Sequence, residues 1–95
     1  MSDTIYYMVV DEKLAHYKYQ YKLGLNIETK PFNGYYGLEG FYFTDKENIA
    51  SDINHHLFIA EIIIPDDAKV YKDPWKNCWK TDKIFIIKYY HIKYW

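Results

Sequence analysis

The sequence predicts an α+β domain in which a small mixed, mostly antiparallel β-sheet of about five to six strands packs against one principal helix at about residues 45–54. Short runs of β-branched and aromatic residues, separated by Gly, Pro, Asn and Asp, are typical of strands joined by turns. One stretch combines a helix-start signal with apolar residues at helical spacing. The length of 95 residues fits a single domain, 1–95, and an apolar content of 49% is enough to form its core.

The first part of the chain predicts two strands followed by a long loop. Residues 4–10 are a β-branched and aromatic run that ends at charged residues, which indicates a first strand. Residues 16–23 alternate tyrosine with polar side chains, and this alternation indicates a strand with one aromatic face. Residues 26–39 contain a proline and an Asn-Gly pair, so they predict a loop with Tyr35 and Tyr36 near its middle.

Apolar strands precede and follow the predicted helix. Residues 40–44 indicate a short buried strand, and Thr44 with Glu47 has the spacing of a capping box at the start of the helix. The apolar stripe of the helix then faces the sheet. Further strands are predicted at 57–64, 68–71 and 83–88, and the aromatic tail 89–95 is compatible with an extension of the last one.

Composition restricts the classes of partner. All twelve basic residues are lysine, and the formal net charge is −1. Arginine holds phosphate and carboxylate groups with a planar fork, so its absence disfavours nucleotide and nucleic-acid ligands. The lysines are scattered and no apolar run is long enough to span a bilayer, so neither nucleic acid nor a membrane is expected as a partner. The lone Cys78 is typical of a reducing compartment.

No group of residues predicts a catalytic centre, a metal site or a cofactor. Adjacent residues such as His55 and His56 point in different directions on a helix, whereas zinc needs three or four converging ligands. No histidine stands at a spacing that would activate Cys78, and the aspartates lack the register of a calcium loop. We therefore expect a protein that is not an enzyme.

Aromatic residues in predicted loops are the candidate binding residues, since Tyr and Trp offer large contact areas at low entropic cost. Packing inside the domain is the alternative role for each of them. The candidates are Phe32, Tyr35 and Tyr36 in the 31–39 part of the long loop, and Trp75 and Trp79 after the Asp73-Pro74 turn.

Five separated blocks of sequence stand in one order over most of the chain: residues 17–26 (YKYQYKLGLN), 31–33 (PFN), 40–44 (GFYFT), 64–71 (IPDDAKVY) and 79–84 (WKTDKI). In this order they resemble a domain that precedes ankyrin repeats in proteins of giant, mimivirus-like DNA viruses, here without ankyrin repeats. The resemblance implies a viral protein in the host cytoplasm. It implies no known activity, and by analogy with ankyrin-bearing viral proteins it favours a host or viral protein as the partner.

Residues 40–44 are also similar to the "GxYFA" strand of ADP-ribosyltransferases, which hold NAD with a His or Arg on the first strand and use a Glu near a later one. The first strand here, residues 5–10, has neither His nor Arg, and only Tyr42 matches. The alternative function is therefore a divergent ADP-ribosyltransferase-like or other nucleotide-binding protein that uses Tyr42 and an acid such as Glu61.

Self-association is a third hypothesis. Apolar strands and the aromatic tail 89–95 could pair edge to edge and form a homodimer.

Overall fold

The computed structural model describes residues 4–16, 19–30, 32, 40–49, 58–75 and 78–94. Within these residues, seven strands form one sheet and two short strands form a separate hairpin. The elements are β1 (Tyr6–Val10), β2 (Ala15–His16), β3 (Tyr19–Gln20), β4 (Gly24–Ile27), β5 (Phe41–Thr44), α1 (Lys46–Ile49), β6 (Phe58–Ile63), β7 (Val70–Lys72), β8 (Cys78–Thr81) and β9 (Lys83–His91), followed by a 3₁₀ turn at Ile92–Tyr94.

The strands of the large sheet lie in the order β4-β9-β6-β1-β5-β8-β7, and each neighbouring pair in it is antiparallel. The expectation of an α+β fold with a mostly antiparallel sheet is therefore confirmed. The expected number of strands, five to six, is too low, because the sheet has seven. The sequence pattern missed two strands of this sheet: β4, which starts at the glycine that ends the expected strand 16–23 and runs into the expected loop, and β8, which follows the Asp73-Pro74 turn.

The expectation of one strand over residues 16–23 is wrong. Ala15 pairs with Gln20 and His16 pairs with Tyr19, so the chain reverses between β2 and β3. The side-chain amide of Gln20 donates to the backbone oxygens of Lys13, Leu14 and Tyr21, which ties the two ends of this hairpin together. An alternating pattern fits two short paired strands as well as one long strand, because both have a period of two.

One bent segment, residues 78–91, joins both halves of the sheet. β8 and β9 are separated by Asp82 alone; β8 pairs with β5 and β7, while β9 pairs with β6 and β4. At the bend the Asp82 N–H donates to the Lys69 oxygen, and its backbone oxygen accepts from Glu28 N–H at 2.8 Å. The Asp82 carboxylate also accepts from Lys69 N–H at 2.8 Å. The strands β9, β6, β1, β5 and β8 consequently close a ring around the core.

Alternation along the strands separates a core face from an outer face. The core face carries the main buried cluster: Met8, Val10, Leu14, Tyr21, Phe41, Phe43, Ala60, Ile62, Ile64, Ile84 and Ile86. The outer face carries the alternate residues, among them Leu25, Ile27, Tyr42, Glu61 and Tyr71. The parts of the sheet differ mainly in the side chains that their outer face carries and in what covers those side chains.

The helix begins one residue later than the capping box predicts. Asp45 is the cap: its carboxylate accepts from the Asn48 N–H at 2.9 Å, and its backbone oxygen accepts from the Ile49 N–H at 3.1 Å. The predicted cap Thr44 instead ends β5 and is buried. Aspartate is a better helix cap than threonine, so a Thr-Asp pair favours a start one residue later than the threonine predicts. Residues 50–54 of the predicted helix lie outside the described residues.

The strand expected at 57–64 is present as β6 (Phe58–Ile63), an interior strand of the sheet, and Ile87 of β9 forms a β-bulge opposite Glu61 and Ile62. The turn expected at Pro65 closes through a hydrogen bond from Ala68 N–H to the Pro65 oxygen. The tail extends β9 only to His91 before the 3₁₀ turn begins. No helix among the described residues has the length and apolar character needed to cross a membrane.

Candidate interaction surface

The loop of the β7–β8 hairpin presents an exposed tryptophan on a fixed support. Asp73 is buried, and its carboxylate accepts from the Trp75 N–H at 2.8 Å. The Asp73 N–H donates to the Cys78 oxygen, and the Cys78 thiol lies 3.7 Å from the second carboxylate oxygen. Aspartate commonly stabilises a turn by bonding the amide two residues on. Trp75 itself is 86% exposed, so its indole projects from an ordered turn.

Phe32 packs on the outer face of the same hairpin. Its ring meets the Tyr71 ring edge-on, with centroids 5.2 Å apart. Gly40 adopts a φ of +94°, and a Cβ at this position would lie 2.6 Å from Cε1 of Phe32. Only glycine therefore suits both the backbone conformation and the close approach. Phe32 is 5% exposed and fixes the start of the 31–39 loop against β5 and β7.

Glu28 joins the two ends of that loop. One carboxylate oxygen accepts from Gly40 N–H at 2.7 Å, and the other accepts from Lys30 N–H at 3.1 Å. Burial acts to raise the pKa of the Glu28 carboxyl, but these backbone hydrogen bonds and the nearby Lys30 charge outweigh burial and lower it. Because Glu28 follows β4 and Gly40 precedes β5, the carboxylate sets the distance between the loop ends.

A fully buried lysine lies next to Gly40. Lys80 is 0% exposed on the outer face of β8, and its Nζ lies 4.8 Å from the centroid of the Tyr42 ring. A Cβ at Gly40 would also lie 3.1 Å from Cγ of Lys80, so the lysine stem forms part of the surface under Phe32. A cation over an aromatic face is stabilised by the ring quadrupole, more so when both are withdrawn from water.

The five candidate binding residues have different positions. Trp75 is exposed, as an interaction residue must be, whereas Phe32 is an interior anchor. Trp79 is partly buried against the core: its ring stacks on Phe43 at 5.8 Å and lies 6.2 Å from Tyr6. Tyr35 and Tyr36 lie outside the described residues.

Sequence reasoning missed the residues that support this surface. Glu28, Asp73 and Lys80 were not among the candidates, although Asp73 precedes a proline in a typical turn pair. The role of Glu28 depends on a partner twelve positions away, and no local pattern indicates such a contact.

Glu61 and Tyr42, the pair considered for nucleotide chemistry, lie on the same face but not together. Tyr42 is on β5 and Glu61 is on β6, with β1 between them. Glu61 pairs with Lys88 at 3.6 Å, in cross-strand register. Burial, and then a hydrogen bond with Glu61, raise the pKa of Tyr90 to about 12. Burial and the Glu61 charge also raise the pKa of Tyr7.

A cleft of about 480 Å³ lies at the end of the strands away from the Trp75 turn. It is lined by Asp11, Glu12, Lys13, Phe58 and His91. The His91 ring meets Phe58 edge-on, and its Nδ1 accepts from Lys93 N–H at 3.1 Å, which assigns the neutral ring's proton to Nε2. Within the part of the chain that the structure describes, His, Cys, Asp and Glu form no group of three or more suited to a metal ion. His55 and His56 lie outside that part.

Comparison with models of known protein families and with solved structures finds no match to this chain.

Proposed function

We propose that the protein is a non-enzymatic interaction module that binds a host or viral protein through Trp75 and through the 31–39 loop with Tyr35 and Tyr36. The observation that carries this proposal is the exposure of Trp75 on an ordered turn. Aromatic residues that a partner can bury completely dominate the energy of protein interfaces. An exposed indole on a fixed backbone also loses little conformational freedom when it binds.

The position of Phe32 supports the same surface. Phe32 contacts Tyr71, which lies two residues before Asp73 on the β7–β8 hairpin. Phe32 and the Trp75 turn are thus attached to one hairpin. In this proposal Phe32, Glu28 and Trp79 act from the interior: they hold the loop and the hairpin in place and do not contact the partner.

The sequence resemblance to giant-virus domains supports a viral protein acting in the host cytoplasm, where a host or viral protein is the expected partner. The scattered lysines favour a protein over an anionic polymer, since nucleic-acid binding normally needs a continuous cationic track.

Quantitative affinity capture from host-cell extract tests the proposal with three variants. Trp75→Ala and the double variant Tyr35→Ala, Tyr36→Ala should each lower recovery of the same partner by roughly tenfold or more, the effect of losing an interface anchor. Tyr94→Ala is the matched control, because Tyr94 is also an exposed aromatic residue but lies in the C-terminal 3₁₀ turn. It should leave recovery unchanged.

The proposal fails if the captured proteins are the same for wild type, Trp75→Ala and the double variant. Calorimetry with NAD and other nucleotides addresses the alternative function. Binding heat that disappears in Tyr42→Phe and Glu61→Gln would favour a nucleotide-binding protein.

A further inference from the structure

The edge strand β4 exposes apolar side chains on the outer face. Leu25 is 43% exposed and Ile27 is 45% exposed, and both are in regular strand conformation. Their cross-strand neighbours are Phe85 and Lys83. Ile87, the bulged residue of β9, is also exposed. Leu25, Ile27, Phe85 and Ile87 thus form an apolar strip at one margin of the sheet, and Lys83, paired with Asp67, lies at its end.

The backbone of the same two residues is available for pairing. The hydrogen bond from Glu28 N–H to the Asp82 oxygen shows that the even-numbered residues of this segment point their amides toward β9. In an antiparallel pair the alternate residues point theirs the other way. The N–H and C=O groups of Leu25 and Ile27 therefore point away from β9. Among the described residues, none forms a hydrogen bond with these outward groups.

This edge is complementary to itself. Rotating a second copy by two-fold symmetry about Asn26 places Leu25 opposite Ile27 of the partner, and Ile27 opposite Leu25. Both positions are then hydrogen-bonded pairs, so the outward donors and acceptors of each copy meet those of the other. A two-fold axis perpendicular to the sheet keeps the outer faces on one side, so the two apolar strips merge.

The charges at the ends of the strand do not drive this arrangement. In this register Lys22 of one copy lies opposite Lys30 of the other, and the Glu28 carboxylate is held by the Lys30 and Gly40 amides of its own chain. The pairing therefore depends on the backbone groups and the apolar side chains of the edge.

We infer that β4 is a self-association edge, through which a second copy of this chain pairs antiparallel to form a two-fold dimer with a continuous sheet. The interface differs from the surface around Trp75 and does not depend on the proposed function. A four-residue edge buries far less than the ~800 Å² per partner of a standard interface. The dimer is therefore weak and forms as the protein concentration rises.

Sedimentation equilibrium from about 10 µM to about 1 mM measures the association directly. The mass of the wild-type chain should rise toward that of a dimer. Leu25→Lys and Ile27→Lys should each remain monomeric throughout, because a charge on the strip repels its symmetry mate. Val70→Lys is the matched control: Val70 is equally exposed but lies on the opposite edge strand, so this variant should associate like wild type.

Amide hydrogen exchange of the wild-type chain locates the interface without any substitution. The Leu25 and Ile27 amides should exchange more slowly at high concentration, while those of β7 stay unchanged. A chain that is monomeric over the whole range overturns the inference. A dimer in which both amides still exchange rapidly, or one that persists in Ile27→Lys, also overturns it and points to another surface, such as the tail 89–95.

Discussion

The two edge strands of the sheet carry apolar side chains on the same outer face, but only one of them is covered. At β7, Phe32 packs on Tyr71. At β4, Leu25 and Ile27 face solvent. The cover of β7 comes from the segment that leaves β4: the chain exits at Glu28 and places Phe32 on the far edge. Phe32 therefore shields the outer face at one margin of the sheet, whereas the outer face at the margin from which its segment starts stays open.

The largest effect should come from removing the cover. Phe32→Ala should lower the free energy of unfolding by about 3–4 kcal/mol, since a buried phenylalanine ring loses its burial and leaves a cavity. Leu25→Ala, at the uncovered edge, should cost less than about 1 kcal/mol because the side chain is already partly in water. Urea denaturation of both variants measures the difference. Equal losses would mean that the two edges are equally packed.

Gly24 and Gly40, the two glycines within the described part of the chain, both have a positive φ and give the next comparison. Gly40→Ala should cost roughly 2–4 kcal/mol, because the new Cβ collides with Phe32 in addition to the unfavourable backbone conformation. Gly24 starts β4 with a φ of +88° and has open space around the position of a Cβ. Gly24→Ala should cost only the conformational part, about 1 kcal/mol. Thermal or urea denaturation of the pair separates the collision from the backbone term.

Glu28 connects the end of β4 to Gly40, which precedes β5, and this connection should weaken at acid pH. Its pKa is lowered in the folded protein, so its contribution to stability is present above the unfolded pKa, 4.5, and is lost as the pH falls through the folded value. Glu28→Gln should lose stability at neutral pH, by about 1–2 kcal/mol for weakened charged hydrogen bonds. The stability of Glu28→Gln should also depend less on pH than that of wild type in the range below the unfolded pKa. Denaturation curves across the acid range test both; parallel curves would contradict this role.

The smallest effect on the protein is expected for a change at Glu61, which lies on β6 between the edge strands β4 and β7. Glu61→Gln should move the pKa of Tyr90 from about 12 toward its ordinary value, since the hydrogen bond and charge of the carboxylate contribute to the shift. Because that pKa is raised, the contribution of neutral Tyr90 to stability is complete below pH 10 and decreases as the pH rises toward 12. Carbon-13 NMR of labelled tyrosine rings follows the titration, with Tyr90→Phe to assign the signal. An unchanged titration in Glu61→Gln would leave burial as the sole cause.

The apolar strands were predictable because their burial follows from their own residues. β1, β5, β6 and β9 each contain a compact β-branched or aromatic run, which indicates a strand whatever its partners are. β8 could not be found in this way. Its four residues include Lys80, whose burial depends on Phe32 and Tyr42 from other parts of the chain.

The sequence indicated which aromatic residues are candidates for the surface, but not whether each side chain points to solvent or to the core. A tryptophan after a turn signal is an evident binding candidate, and Trp75 is indeed exposed. Trp79, four residues on, has the same local signals, yet its side chain points to the core face because it lies opposite Phe43 in the β5–β8 register. Exposure depends on strand register, which long-range pairing determines.

The single-residue junction at Asp82 has a consequence for how the molecule unfolds. Because residues 78–91 are one bent strand, β5 and β7 on one half and β4 and β6 on the other lose their hydrogen-bonding partner together if that strand detaches. Neither half can then melt as a separate unit, and we expect the protein to lose its structure in one all-or-none transition. Many of the pairings, such as β1 with β6, join distant parts of the chain, which predicts slow refolding.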